Sequence, residues 1–226
     1  MNLKNSEKFW VLGLFLGITG LVSALILAVV SNWVKTPIAQ AELRNTNQAL
    51  GQILPPFDNQ PSAKRIEFNS PSGWPVSFMA AVKDGQIVAF AAEAINPRGY
   101  AGNIQALVGL EIDGAIRAVL ITKQNETPGL GANVCQRKVQ KTIFNLFSKP
   151  DEGLAPNKIL DQFKGKKTAL DANWSVKKDG GDIDFISGAT VTSRAVTLLV
   201  SEIDRTFLLN RDRIIQELTP VGREQL

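Results

Sequence analysis

Apolar positions come first in this chain as one unbroken block and later as short separate runs. From Phe9 to Val34 there is no charged residue, and Leu, Val, Ile, Ala, Gly and Phe dominate. At about 1.5 Å per residue, a helix of that length crosses a hydrocarbon core of roughly 30 Å. Trp10 and Trp33 stand near its ends, where indole rings favour the membrane interface. The pattern predicts a transmembrane helix over residues 9–34 behind a short tail of residues 1–8. A cleaved signal peptide, which Ala39-Gln40-Ala41 would suit, has an apolar core of only about 7–15 residues. Gly13, Gly17, Gly20, Ala24 and Ala28 recur at near four-residue intervals and form a smooth ridge that another helix can approach closely.

After the block, the spacing changes. Thr36-Pro37 reads as an N-cap and a first helical proline, opening a helix with apolar positions at Ile38, Leu43, Leu50, Ile53 and Leu54 that Pro55-Pro56 stops. Asn59 to Ser72 is a polar connector with one short strand around Ile66 to Phe68, so residues 35–75 form a helix and connector ahead of a domain over 76–226. Two segments repeat one pattern: Val76 to Val82, Asp84-Gly85, Ile87 to Ala92, and Leu107 to Ile112, Asp113-Gly114, Ile116 to Thr122. Asp-Gly between β-branched apolar runs predicts hairpins, because the turn needs positive φ. Val134 to Phe147 has helical spacing through Val139, Ile143, Phe144 and Phe147. Beyond the polar turn Lys178 to Asp182, a further helix is predicted from Ala195, Val196, Leu199, Val200, Ile203 and Phe207. Strands and helices in blocks imply an α+β domain with an antiparallel sheet and flanking helices.

Composition narrows the chemistry. The 226 residues carry a formal charge of +4 with Lys and Arg scattered, which argues against nucleic acid as a partner. Histidine is absent and Cys135 is the only cysteine, so the chain cannot assemble a zinc, haem or iron–sulfur ligand set alone. No metal site and no catalytic side-chain set is expected, and any redox chemistry must come from an organic cofactor. Cys135 itself reads as a small apolar residue on a helix. Lys4 and Lys8 on one flank of the span nearly balance Lys35 and Arg44 on the other, so charge does not fix the topology. No GxGxxG or phosphate-loop lysine motif occurs.

The chemistry concentrates in Asp184-Phe185-Ile186-Ser187-Gly188-Ala189-Thr190, directly before a predicted helix. The first N–H groups of a helix lack internal partners and its dipole favours negative charge, so a phosphate beside Thr190 is stabilised. Gly188 removes a side chain where a ligand comes close. This stretch resembles the flavinylation motif of the FMN-binding domain family shared by RnfG and NqrC, and the flanking Val176 to Asp182 and Val191 to Val196 are more similar to RnfG. Glu126-Thr127-Pro128-Gly129-Leu130-Gly131 resembles the family's loop near the flavin, and Gly99-Tyr100-Ala101-Gly102 a second glycine-containing segment. The resemblance implies FMN joined through a phosphoester to Thr190, with Ser187, Gly188, Ala189, Glu126, Thr127, Gly129, Leu130 and Gly131 around it. It also implies a flavin transferase that recognises Asp184. As function it implies an electron-transfer subunit of an Rnf-type complex coupling ferredoxin and NAD oxidoreduction to ion movement. The expected partners are the complex's other membrane and peripheral subunits and membrane lipid, with the domain on the periplasmic side of the inner membrane.

Competing readings are plainer. Ser187 to Thr190 alone would serve as a helix cap, and Glu126 to Gly131 as an ordinary Pro-Gly turn. Lys177, Lys178 and Arg194 would assist an anion or simply face water, and Arg211, Asp212 and Arg213 are read as solvated. An NqrC-type or other tethered flavoprotein, and a non-redox assembly module, are the alternative functions.

Overall fold

The computed structural model describes residues 6–137, 153–167 and 174–220. It divides into two compact units, Met1–Asn45 and Thr46–Leu226. The first is helical and contains the Phe9–Val34 apolar run, 26 residues whose side chains are not buried by the rest of the protein. An apolar helix left uncovered in this way is suited to lipid.

Helix α1 (Ser6–Ile53) corrects one expectation. Thr36 and Pro37 lie inside it, so no new helix opens there. A proline within a helix removes one rung of the ladder, whereas a break would expose the unpaired backbone groups of two helix ends. At the other end α1 stops ahead of Pro55-Pro56, as expected.

The second unit is built on a five-stranded antiparallel meander: β1 (Ile66–Asn69), β2 (Pro75–Lys83), β3 (Gln86–Asn96), β4 (Ile104–Leu110) and β5 (Ile116–Lys123), each beside its sequence neighbours. The β2–β3 turn is tight because Asp84 and Gly85 both adopt positive φ, 52° and 78°. At the second Asp-Gly the turn is longer. The Glu111 N–H donates to the Ala115 carbonyl and the Ala115 N–H to the Asp113 carboxylate, with Gly114 at φ 92°. Ile112, expected in the strand, therefore sits in the turn and is 45% exposed.

Both faces of the sheet are covered, which is why β2 and β3 read as nearly continuous apolar runs. On one face Val76, Phe78, Phe90, Ala92, Val108 and Val119 join a core with helix α4 (Thr190–Leu218) through Val196, Leu199, Ile203 and Phe207. The Phe207 ring lies 6.0 Å from Phe78 and 5.4 Å from Phe90. On the other face the end of α1 supplies Ala49, Leu50, Ile53 and Leu54 against Met79, Ala81, Ala89, Ala91 and Leu107. Gly109 permits this approach, since a Cβ there would lie 2.7 Å from the Ile53 carbonyl oxygen.

Short helices α2 (Gly131–Cys135) and α3 (Lys158–Asp161) follow the sheet. The helix expected over Val134 to Phe147 does not continue from Cys135, because Gln136 is extended (φ −90°, ψ 131°); residues 138–147 lie outside the described residues. Arg137 instead bonds the carbonyls of Val119 and Ala155 and the Asp161 carboxylate, blocking part of the β5 edge. Two cations expected in water are also engaged. Arg211 donates to the Ile112 carbonyl, and the Arg213 guanidinium stacks 5.1 Å from the Phe68 ring centre.

Candidate functional site

Two similar turns face each other at the start of α4. In one, the Ala189 N–H donates to the Ile186 carbonyl and Gly188 has φ 84°. In the other, the Leu130 N–H donates to the Thr127 carbonyl, Pro128 precedes, and Gly129 has φ 81°. Positive φ at the third position is the type II geometry, which glycine adopts without strain. The turns meet closely: a Cβ placed on Gly188 would lie 3.4 Å from Leu130 Cδ2.

Ser193 fastens the first turn to its helix. Its hydroxyl donates to the Ala189 carbonyl at 2.9 Å and accepts from the Ile186 N–H at 3.3 Å. Ser187 and Gly188 are exposed at the tip, Ala189 is buried, and Thr190 is half-buried as the first residue of α4. Among the described residues no side chain caps this helix. Its leading N–H groups thus lack a side-chain acceptor, and the positive end of its dipole lies at Thr190.

Glu126 gathers the other expected segments. It is 4% exposed, with Oε1 accepting the Ala101 N–H at 3.2 Å and Oε2 accepting the Thr192 hydroxyl at 2.7 Å. Gly99 and Gly131 leave room for this carboxylate. A Cβ on Gly99 would strike the Gly102 carbonyl oxygen and lie 2.7 Å from Glu126 Oε1, and one on Gly131 would lie 2.6 Å from Glu126 Oε2 and from Thr192 Oγ1. Asn96, fully buried at the end of β3, holds the Gly99 loop by accepting the Arg98 N–H and donating to the Ala195 carbonyl of α4. The three segments singled out in the sequence, 99–102, 126–131 and 187–190, are therefore brought together.

Asp184 stands to one side. The Gln162 side chain bonds both its N–H and its carbonyl, at 2.8 and 3.1 Å, so the backbone is fixed while the carboxylate remains at the surface. That carboxylate pairs with Lys177 at 2.6 Å and, by this hydrogen bond, holds the ammonium above its ordinary pKa. Arg194 makes a two-pronged pair with Asp179 at 2.5 and 2.6 Å, which keeps the Asp179 carboxyl below the usual range. Lys177 and Arg194 are thus each matched to a neighbouring carboxylate, and Lys178 is exposed. Cys135 is buried, and burial with the nearby Glu126 charge pushes its thiol up to about 12. Among the described residues no cluster of His, Cys, Asp or Glu is arranged to hold a metal ion.

Sequence reasoning missed Asn96, Gln162, Thr192 and Ser193. Asn96, Gln162 and Thr192 reach partners far along the chain, whereas Ser193 bonds to Ala189 and Ile186 close by and so carried a local signal.

These features fit a group attached through a phosphate: an uncapped helix start, an exposed glycine turn and a half-buried threonine at the first helical position. A family model described as an FMN-binding domain matches residues 99–203, which enclose all three segments. The G subunit of the ion-translocating oxidoreductase complex from Pseudomonas aeruginosa is 33% identical over 219 residues, covering 93% of this chain and 94% of the relative. The chain belongs to the family of G subunits of ion-translocating oxidoreductase complexes. The G subunits of Photorhabdus laumondii and Vibrio cholerae are 34% and 31% identical over 203 and 197 residues, covering 87% and 84% of this chain and 87% and 86% of theirs. Membership in this family and the apolar N-terminal helix together describe a membrane-anchored protein.

Proposed function

We propose that this chain is the flavin-carrying electron-transfer subunit of a membrane-bound ion-translocating oxidoreductase, with FMN held by a phosphoester to Thr190. The observation that carries the reading is the position of Thr190. It opens an uncapped helix directly after the Gly188 turn, beside the loops that the FMN-binding family model encloses. Ser187, Gly188 and Ala189 form the turn that leads into the phosphate position. Glu126, Thr127, Gly129, Leu130 and Gly131 belong to the cofactor's surroundings by resemblance.

The chain contains no histidine to activate the threonine hydroxyl. Attachment therefore falls to a flavin transferase that recognises the exposed Asp184. The bond formed joins Thr190 Oγ to the FMN phosphorus of FAD; the bond broken is the pyrophosphate linkage, AMP leaves, and the hydroxyl proton passes to a base of the transferase. Bound FMN supplies one- and two-electron chemistry, while the polypeptide fixes its place and keeps it from being lost. The electrons belong to ferredoxin and NAD oxidoreduction coupled to ion movement, exchanged with neighbouring membrane and peripheral subunits. Residues 1–8 lie in the cytoplasm, 9–34 cross the inner membrane among lipid, 35–75 lead out of it, and 76–226 form the periplasmic flavin domain.

The test is Thr190→Ala in the native host. The variant should fold and insert yet show no flavin fluorescence in a denaturing gel and no flavin mass on the peptide that spans residue 190. Undiminished covalent flavin would refute the assignment.

A further inference from the structure

We propose that Glu126 is a positioning residue for the modification of Thr190: a buried latch that sets the rotation of the first turn of α4 so that the threonine hydroxyl faces outward. The inference rests on the reading of Thr190 as the attachment site and goes beyond it by naming what orients that site.

A carboxylate accepts hydrogen bonds and donates none. Both Glu126 oxygens are already engaged, one by the Ala101 N–H and one by the Thr192 hydroxyl, and the residue is enclosed. It acts from behind the site. Helical geometry supplies the consequence: at 3.6 residues per turn, two residues are separated by roughly 200° around the axis. Drawing Thr192 inward turns Thr190 to the opposite side of the axis. Thr192 is 1% exposed and Val191 44%, with Thr190 between them in burial.

Gly99 and Gly131 give independent support. Neither has positive φ, so neither is glycine for the sake of an unusual backbone; at Gly131 a side chain would take the space of Glu126 Oε2 and Thr192 Oγ1, and at Gly99 it would meet the Gly102 carbonyl oxygen first and Glu126 Oε1 next. One carboxylate thereby joins the Gly99 loop, the Glu126 loop and the α4 turn into a single frame. A covalent transfer that must place one hydroxyl in line with a phosphorus atom depends on such a frame, because small misplacements of a reacting atom slow a reaction steeply.

The experiment uses the full chain in detergent, produced without flavin, with a transferase of the FAD-cleaving class and FAD, reading the initial rate of covalent flavin appearance. Glu126→Ala and Thr192→Val should lower kcat about tenfold or more, with the KM for the acceptor chain unchanged, because Asp184 and its surroundings remain intact. Glu126→Gln should restore the rate to within about twofold of the parent, since the amide oxygen accepts the Ala101 N–H and the amide nitrogen donates to a rotated Thr192 hydroxyl. Thr192→Val is nearly isosteric and decides the matter should Glu126→Ala fail to fold. Parent kcat in Thr192→Val, a change confined to KM, or a Glu126→Gln variant as slow as Glu126→Ala would each overturn the latch. Thr190→Ala in parallel separates the two claims: labelling of that variant refutes the attachment site, whereas a blank Thr190→Ala beside a fully active Thr192→Val refutes the latch alone.

Discussion

Leu50→Ala tests whether the end of α1 is part of the folded core. Leu50 is 0% exposed and joins Ile53, Met79, Ala81, Ala89, Ala91 and Leu107 in the cluster behind the sheet. Truncating a buried leucine to alanine costs about 2–5 kcal/mol, rising with the volume of cavity that persists. Four of the cluster's other members, Ala49, Ala81, Ala89 and Ala91, are alanines, which have no side-chain freedom with which to fill a void. Gly109 already draws the Ile53 backbone as close as sterics allow. The upper half of the range is expected. For a domain of this size about 1 kcal/mol moves the melting temperature by about 2–4 °C, so the loss should be about 7–20 °C. The assay is thermal unfolding of the full chain in detergent followed by near-ultraviolet circular dichroism. Leu43→Ala is the internal control: Leu43 is 52% exposed, and its removal should move the transition by no more than about 2 °C. A Leu50→Ala variant that melts with the parent, or a Leu43→Ala variant that falls as far, would refute the two-layered cover of the sheet.

Two further changes probe the site. Gly188→Ala meets only Leu130 at 3.4 Å, so space is adequate, but φ 84° costs a non-glycine residue about 1–2 kcal/mol; melting should fall by a few degrees and gel fluorescence should show less covalent flavin. Cys135 should resist iodoacetamide at pH 8 in the native chain and react once urea is added, because burial raises its thiol from an ordinary value of 9.0 to about 12. The sign of the linkage follows: the folded state keeps this proton longer than the unfolded one, so the contribution is complete below about pH 9 and is lost as pH climbs toward about 12. A urea midpoint that rises between pH 8 and pH 10 would contradict that direction.

Local rules carried much of the fold. Asp84-Gly85 announced its hairpin because positive φ at both positions is a property of the two residues themselves. The α4 stripe was legible as far as Phe207, but Asn210 to Arg213 interrupts it, and the buried Ile214 and Leu218 beyond were not counted. The other side of α4 was not legible. Thr197, Glu202 and Thr206 look like a solvated face, yet they are buried. Thr197 and Thr206 bond back to carbonyls of their own helix, and Glu202 accepts the Ser72 N–H from far along the chain. The same reason hid the engagements of Arg211 and Arg213: composition marks a cation as soluble, while only topology brings the Ile112 carbonyl and the Phe68 ring beside it. At Thr36-Pro37 a sound capping rule failed because the rule describes a helix that has somewhere to begin, and here one was already under way.

The meeting of three distant motifs follows from strand parity. In an antiparallel meander, alternate connections lie at the same end of the sheet, so the β3–β4 loop that carries Gly99 to Gly102 and the chain leaving β5 toward Glu126 emerge together. Helix α4 crosses the sheet with its later turns at the opposite end, where Phe207 and Leu208 flank Gly114 and Arg211 reaches Ile112. Its first turn must then return to the end where the two loops emerge. The first turn of α4, with Thr190, lies beside those loops because of the direction of one helix, and the Glu126 carboxylate can touch both Ala101 and Thr192 only in this topology. A shift of β4 against β3 by one residue would turn the side chains of one strand to the wrong face. Both the core under α4 and the frame around Thr190 would be lost together, so packing and site geometry are fixed by the same register.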